Sequence, residues 1–264
     1  MILPGSYANG FAPRDGQPLY PELWKGCVGA WNPGLGVTGL TLRDASGFQN
    51  NGTLTNGPTW SLNQGRYALN FDGTNDTVIT SKTDVLAGNS CVSVSYWIQK
   101  STSGSDAIVG SSLSSSSGVW LQWYTDGNVY FSFRNGTTAS VSYALSYSTG
   151  WIHLCGTKSG ATGQIYVNGQ QVASGALDSQ LSATTAAFVI SGIRSTFYTT
   201  GKHDDVMLYD RQLSGNEVRL LASRRGIAYE MAPRRRSSVQ VTVAPLRYNL
   251  FSGSIGNTDV IGAS

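Results

Sequence analysis

Short apolar runs separated by glycine-, asparagine- and serine-rich turns recur along most of the chain. Within Cys91–Ile98, Val92, Val94 and Tyr96 alternate with Ser93 and Ser95, the period of a strand with one buried face, until Trp97 interrupts it. Val119–Tyr124 and Val129–Phe133 flank Asp126-Gly127. That pair predicts a hairpin with a type I′ turn, which needs positive φ at both central residues. Asn168-Gly169, between Gln164–Val167 and Gln171–Ala173, predicts a second hairpin. Further strand-like runs are Cys27–Trp31, Leu40–Arg43, Tyr67–Phe71, Thr77–Thr80, Ala107–Val109, Ser140–Tyr143, Trp151–Thr157, Ala187–Ser191 and Asp205–Tyr209. Many short strands at this spacing predict an all-β, antiparallel sandwich.

One helix is legible, in Leu213–Gly226. Ser214 and Glu217 have the spacing of a capping box, Val218, Leu221 and Ala222 repeat at three and four, and Arg224 and Arg225 suit the negative end of the helix dipole. Gly226 suits the left-handed position that ends a helix. The ends of the chain differ from its middle. Residues 1–26 hold Pro4, Pro13, Pro18 and Pro21 and keep no strand or helix period, which predicts an extended arm. Residues 227–264 hold Pro233, Arg234-Arg235-Arg236, a β-like run at Val239–Val243 and too little apolar content for a core. The expected organisation is an arm over 1–26, a domain over 27–226 and a basic tail over 227–264.

Composition narrows the classes. Of 264 residues only 12% are charged and 32 are glycine, which excludes a coiled coil, a helical bundle and a charged disordered chain. No apolar stretch is long enough for a transmembrane helix, and Met1–Asp15 lacks the basic start and apolar segment of a secretory signal, so export by the usual route is not expected. Cys27, Cys91 and Cys155 lie in apolar runs without metal spacing, as expected of free buried thiols. The net charge of +3 is uneven: Met1–Leu213 carries eleven Lys and Arg against twelve Asp and Glu, whereas the rest carries seven Arg against three acids. Arg234, Arg235 and Arg236 are therefore candidate partner-binding residues, steering an encounter with an acidic protein surface. No aromatic platform is interleaved with them, which argues against nucleic acid.

Several motifs in order resemble the laminin-G-like domains of the concanavalin A-like lectin/glucanase superfamily: Cys27–Trp31, Leu42-Arg43-Asp44 with Asn50–Leu54, ALNFDGTNDTV at Ala68–Val78, Val92–Ile98, Trp151–Gly156 with IYVNG at Ile165–Gly169, and DDVMLYD at Asp204–Asp210 with Gln212–Ser214. The resemblance covers about Cys27 to Gly226 and implies a two-sheet antiparallel jelly-roll sandwich with one short C-terminal helix and extended arms. Related domains often hold a structural Ca²⁺ between an early and a late acid. Carried onto this chain, the candidate ligands are Asp44, Asn51, Asp204 and Asp205. Asp72-Gly73 with Asn75-Asp76 reads as a tight turn capped by its own side chains, although the same oxygens suit calcium.

The superfamily includes glycosidases, which need two carboxyl groups flanking the scissile bond. This chain has only three glutamates, Glu22, Glu217 and Glu230, and none lies on a predicted strand. Asp204 and Asp205 are adjacent, so on a regular strand they point to opposite faces. His153 alternates with Ile152 and Leu154; His203 precedes Asp204, a neighbour expected to raise its pKa, but no Gly-x-Ser-x-Gly elbow, zinc spacing or phosphate loop accompanies either. No catalysis is expected. Trp120, Trp123 and Tyr198 are candidate carbohydrate-stacking residues. Arms without cores imply a structural role in an assembly, and such chains resemble phage virion proteins, capsid decorations or tail adhesins, with neighbouring subunits or copies of itself as partners. The alternative is a lectin-like, carbohydrate-binding module at a cell surface.

Overall fold

The computed structural model describes residues 18–83, 86, 88–111, 117–178, 186–192 and 197–231. The chain divides into residues 1–233 and 234–264; the second unit, with Arg234, Arg235, Arg236 and Val239–Val243, lies outside the described residues.

The described residues form sixteen strands and one α-helix. In chain order the strands are β1 (Cys27–Trp31), β2 (Thr41–Leu42), β3 (Gly52–Thr55), β4 (Thr59–Asn63), β5 (Arg66–Asp72) and β6 (Thr77–Thr83). They continue with β7 (Cys91–Lys100), β8 (Ala107–Ser111), β9 (Ser117–Trp123), β10 (Asn128–Asn135) and β11 (Thr137–Ala144). The last are β12 (Ile152–Ser159), β13 (Thr162–Val167), β14 (Gln170–Ala176), β15 (Ala187–Ile190) and β16 (Thr200–Tyr209), followed by α1 (Gly215–Leu221). One antiparallel sheet runs β14-β13-β12-β7-β16-β5-β4, with β1 also paired to β16; the other runs β11-β10-β9-β8-β15-β6-β3-β2. This is the expected two-sheet jelly-roll sandwich.

Between the sheets lies the main core. Val92, Val94, Tyr96 and Ile98 of β7 face Val109, Val119, Leu121, Trp123, Phe131 and Phe133 of the second sheet. Tyr96 carries its hydroxyl across the core to the carbonyls of Ala107 and Leu121 (3.2 and 3.3 Å), so the one polar group that its ring brings inside is satisfied. Gly156 keeps the sheets close: a Cβ there would stand 2.3 Å from the Phe131 ring.

Trp97 does not break the alternation of β7. It sits with Ser93 and Ser95 on the outer face of the first sheet, and that face is covered too. Cys27, Ala30, Cys155, Tyr166, Met207 and Tyr209 on it are sealed by Leu213, Val218 and Leu221 around α1 and, from the chain ends, by Leu23, Trp24, Ile227 and Ala228. The arm and tail boundaries at 26 and 227 are thereby corrected. The 3₁₀ turns Pro21–Trp24 and Ile227–Tyr229 belong to the domain, because an apolar outer face needs cover and the helix alone is too short to supply it.

Ser214 and Glu217 form the capping box as expected. The helix ends at Leu221, however, and Gly226 uses its φ of 82° one turn later, at the start of the 3₁₀ turn Ile227–Tyr229. Asn168 and Gly169 both have positive φ, as a type I′ turn requires. At Asp126-Gly127 only Gly127 does; Gly127 N–H donates to the Tyr124 carbonyl and Tyr124 N–H to the Asn128 carbonyl, giving a three-residue loop with glycine in the left-handed position.

Candidate functional site

The calcium candidates fall into two groups, and each is filled by protein donors. The Asp44 carboxylate is fully buried and accepts from Ala30 N–H, Ser46 N–H, the Ser46 hydroxyl and Asn50 N–H at 2.8 to 2.9 Å, while Asn51 Oδ1 accepts from the Asp44 N–H. A carboxylate offers about four lone-pair sites, and here all four organise the loop behind β2.

Asp204 and Asp205 lie where β16 changes its neighbour from β5, at Thr200–His203, to β1, at Val206–Tyr209. The register shifts there and Asp205 has a φ of 45°. The two side chains therefore do not point to opposite faces as a regular strand would require. Both converge on Arg66, whose Nε donates to Asp204 Oδ2 and whose Nη2 donates to Asp205 Oδ1, each at 2.8 Å. Arg66 Nη2 also donates to Asn32 Oδ1, Arg225 approaches Asp204 at 3.5 Å, and Gly226 N–H donates to Asp205 Oδ2. A guanidinium holds the place of a cation between these acids. Calcium requires six to eight oxygen ligands, so the residues as arranged do not fit it. Among the described residues no group of three or more His, Cys, Asp or Glu is placed to hold a metal. The turn at Asp72–Asp76 is capped by its own side chains, with Asp76 Oδ2 accepting from Asp72 N–H and Asp72 Oδ1 from Thr74 N–H.

Both histidines are buried, and burial pushes each down to about pH 3, so that Asp204 does not raise His203. His153 Nε2 lies 2.8 Å from the Ser95 hydroxyl and His203 Nε2 3.1 Å from the Thr199 hydroxyl. Glu217 is used by the cap and by Arg211, and Glu230 by Arg224.

The aromatic candidates separate by face. Trp123 is a core residue, 1% exposed, and is withdrawn as a sugar-stacking residue: with Val119 and Leu121 it points between the sheets. Trp120 and Gln122 point outward, where Trp120 packs with Ile108, Val189 and Phe197 and retains 9% of its surface. Tyr198 is half-buried against Gly192. Three half-buried rings, Tyr124, Tyr130 and Phe197, complete this outer face. Tyr124 contacts Tyr130 edge-on at 6.3 Å and Phe197 at 5.9 Å. Tyr130, opposite Gln122 in register, donates its hydroxyl to Asp126 at 2.7 Å. Beside the rings Gln122 Nε2 donates to Asp106 Oδ1 at 3.1 Å, and burial raises the Asp106 carboxyl above its usual range. Rings with an amide and a carboxyl next to them offer apolar stacking and paired hydrogen bonds together.

The fold and this surface define a two-sheet β-sandwich with an outward aromatic face and no assembled catalytic pair among the described residues. A model of the Laminin_G_3 family, of the concanavalin A-like lectin/glucanases superfamily, matches residues 72–219, and the chain belongs to that superfamily. Solved structures with the same fold include the binding domain of Paraclostridial Mosquitocidal Protein 1, with a TM-score of 0.60 and 16% identity over 76% of this chain and 52% of that one. The botulinum neurotoxin serotype D binding domain has a TM-score of 0.60 and 16% identity over 76% and 51%; the serotype G binding domain has 0.60 and 14% over 74% and 50%. The chain spans about half the length of each. No curated protein matches it.

Proposed function

We propose that the chain is a non-catalytic binding module that takes a carbohydrate on the outer face of the second sheet. The observation that carries this reading is the group of partly exposed rings, Tyr124, Tyr130 and Phe197, beside the Gln122–Asp106 pair. Sugar rings present apolar C–H faces and dense hydroxyls, and this surface meets both. The structural neighbours are named as binding domains or receptor binding domains, which agrees with the reading. The test is binding of the full chain to an immobilised glycan panel. Retention on at least one glycan, lost in Tyr130→Ala, supports it; no retention, or retention indifferent to Tyr130→Ala and Phe197→Ala, removes it.

A second reading, docking in an assembly such as a virion, is favoured by one observation. Pro18 and Met231 form an antiparallel bridge and Leu19 N–H donates to the Glu230 carbonyl at 2.7 Å, so the two ends of the domain meet side by side. In this reading the segments beyond them grip a neighbouring subunit, or a copy of this chain, with Arg234, Arg235 and Arg236 supplying charge. A structural calcium remains outside both readings.

A further inference from the structure

A cleft of about 290 Å³ opens where β7 ends and β16 begins, lined by Gln99, Lys100, Ser101, Tyr147, Thr149 and Lys202. Its side chains end in two ammonium groups, three hydroxyls and one amide, and none is acidic. The walls are tied together: Tyr147 donates its hydroxyl to the carbonyls of Ser101 and Lys100 at 3.0 and 3.4 Å, and Gln99 Nε2 donates to the Thr149 carbonyl at 2.9 Å. The site is therefore built before any ligand arrives.

Its charge is unusual. Lys202 is half-buried and has no ion-pair partner among the described residues. Lys100 is 2% exposed, and its Nζ stands 4.5 Å over the Trp123 ring without a hydrogen-bond partner. Burying an ammonium without hydrogen bonds is costly, and the carboxylates that act on it, Asp106 and Asp126, are already engaged by Gln122 and Tyr130. Lys202, beside Gln99 on the outer face, thus supplies the accessible positive charge of this small polar cleft, while the Lys100 ammonium lies behind its wall on the core side of the sheet, over Trp123. We propose that the cleft binds the oxyanion group, carboxylate or sulfate, of a small hydroxylated ligand, with Lys202 as the direct cation, the Ser101 and Thr149 hydroxyls as further donors and the Tyr147 ring as a wall. A volume near 300 Å³ accommodates a ligand of about monosaccharide size. The inference rests on this cleft and not on the aromatic face.

Burial holds Lys100 down to about 8, so an anion nearby stabilises its charged form and binding weakens as pH rises past that value. The experiment is titration of the full chain with glucuronate, glucose and inorganic sulfate, each at one ionic strength, read by calorimetry and by amide chemical shifts. Glucuronate is expected to bind at least about tenfold more tightly than glucose, the ratio one charge-assisted hydrogen bond confers. Shifts should concentrate at Ser101, Thr149 and Lys202, and Lys202→Gln should weaken glucuronate by a similar factor. Shift mapping on the unaltered chain decides the matter if that variant does not fold. Sulfate binding as tightly as glucuronate identifies a free oxyanion as sufficient; glucuronate alone binding identifies the sugar acid. Equal affinity for glucose and glucuronate, shifts elsewhere, or no binding by any probe overturns the proposal.

Discussion

Arg66 Nη2 lies 2.8 Å from Asp205 Oδ1, across a break in the first sheet where β16 exchanges one neighbour for another. Asp205 reaches it only because its own φ is positive, a conformation that costs a non-glycine residue free energy and persists where surroundings enforce it. The enforcing contacts are Arg66 on one side and Gly226 N–H on the other. Burial opposes the charge on Arg66, but Asp205 and Asp204 outweigh it and hold the guanidinium protonated.

Removing that guanidinium leaves two buried carboxyls facing each other. Arg66→Met is expected to destabilise the domain by about 3 to 5 kcal/mol, the usual cost of breaking one side of a buried ion pair. Urea unfolding of both proteins at pH 8 measures it, and a loss below about 1 kcal/mol would show that the cluster is dispensable.

The same cluster gives a pH dependence with a definite sign. Burial, with the charge of Asp204, pushes Asp205 up to about 7, while Arg66 opposes the shift. In the unfolded chain an aspartate titrates near about 3.9. Between those values the folded state binds the extra proton, so this group's contribution to stability is present in full below the lower value and is lost as pH rises to the upper one. Asp205→Asn should flatten the fall in unfolding midpoint between pH 5 and pH 8. An unchanged slope would assign the dependence elsewhere.

Cysteine chemistry should be selective. Burial raises the thiols of Cys27 and Cys155, whereas Cys91 is half-buried and held below its ordinary value by its hydrogen bond with Ser159, against a smaller effect of burial. A thiol reagent at pH 8 is expected to modify one cysteine quickly in the native protein and all three after denaturation, with Cys91→Ser abolishing the fast phase. Fast loss of two or more thiols in the native state would contradict the burial described.

Much of this sandwich is legible from alternation, and the failures have physical causes. Cys91–Lys100 reads as a strand because four of its inward positions are Val92, Val94, Tyr96 and Ile98 and the outward ones between them include Ser93 and Ser95. β3 and β4 are missed because Gly52–Thr55 and Thr59–Asn63 hold one or two apolar residues each among Thr, Ser and Gly. Alternation separates Trp120 from Trp123 but does not state which is inward; Val119 and Leu121, on the side of Trp123, carry that answer. The convergence of Asp204 and Asp205 escapes any period-two argument, since a bulge with one positive φ reverses the rule at that step. The outer ring group joins residues from β10, the following loop of β9 and a segment near Phe197, a proximity set by strand order rather than by spacing.

The place of the chain ends yields the last prediction. Leu23, Trp24, Ile227 and Ala228 are nearly or wholly inaccessible, although proline-rich surroundings in the sequence point to an arm and a tail. Trp24 donates its indole N–H to the Ala228 carbonyl at 2.8 Å and meets Tyr229 edge-on at 5.2 Å, while Tyr209 donates its hydroxyl to the Leu23 carbonyl at 3.0 Å. The two ends thus lock each other onto the first sheet, and neither is expected to hold without its partner. Trp24→Ala removes a large buried ring and orphans the Ala228 carbonyl, so it should cost about 3 to 5 kcal/mol. Tyr130→Ala, on the outer face, should cost well under half of that while weakening any glycan by at least about fivefold, the threshold at which an interface residue counts as energetically significant. Denaturant unfolding of the two variants side by side separates the roles. A Trp24→Ala protein within about 1 kcal/mol of the parent would return the domain boundaries to Cys27 and Gly226.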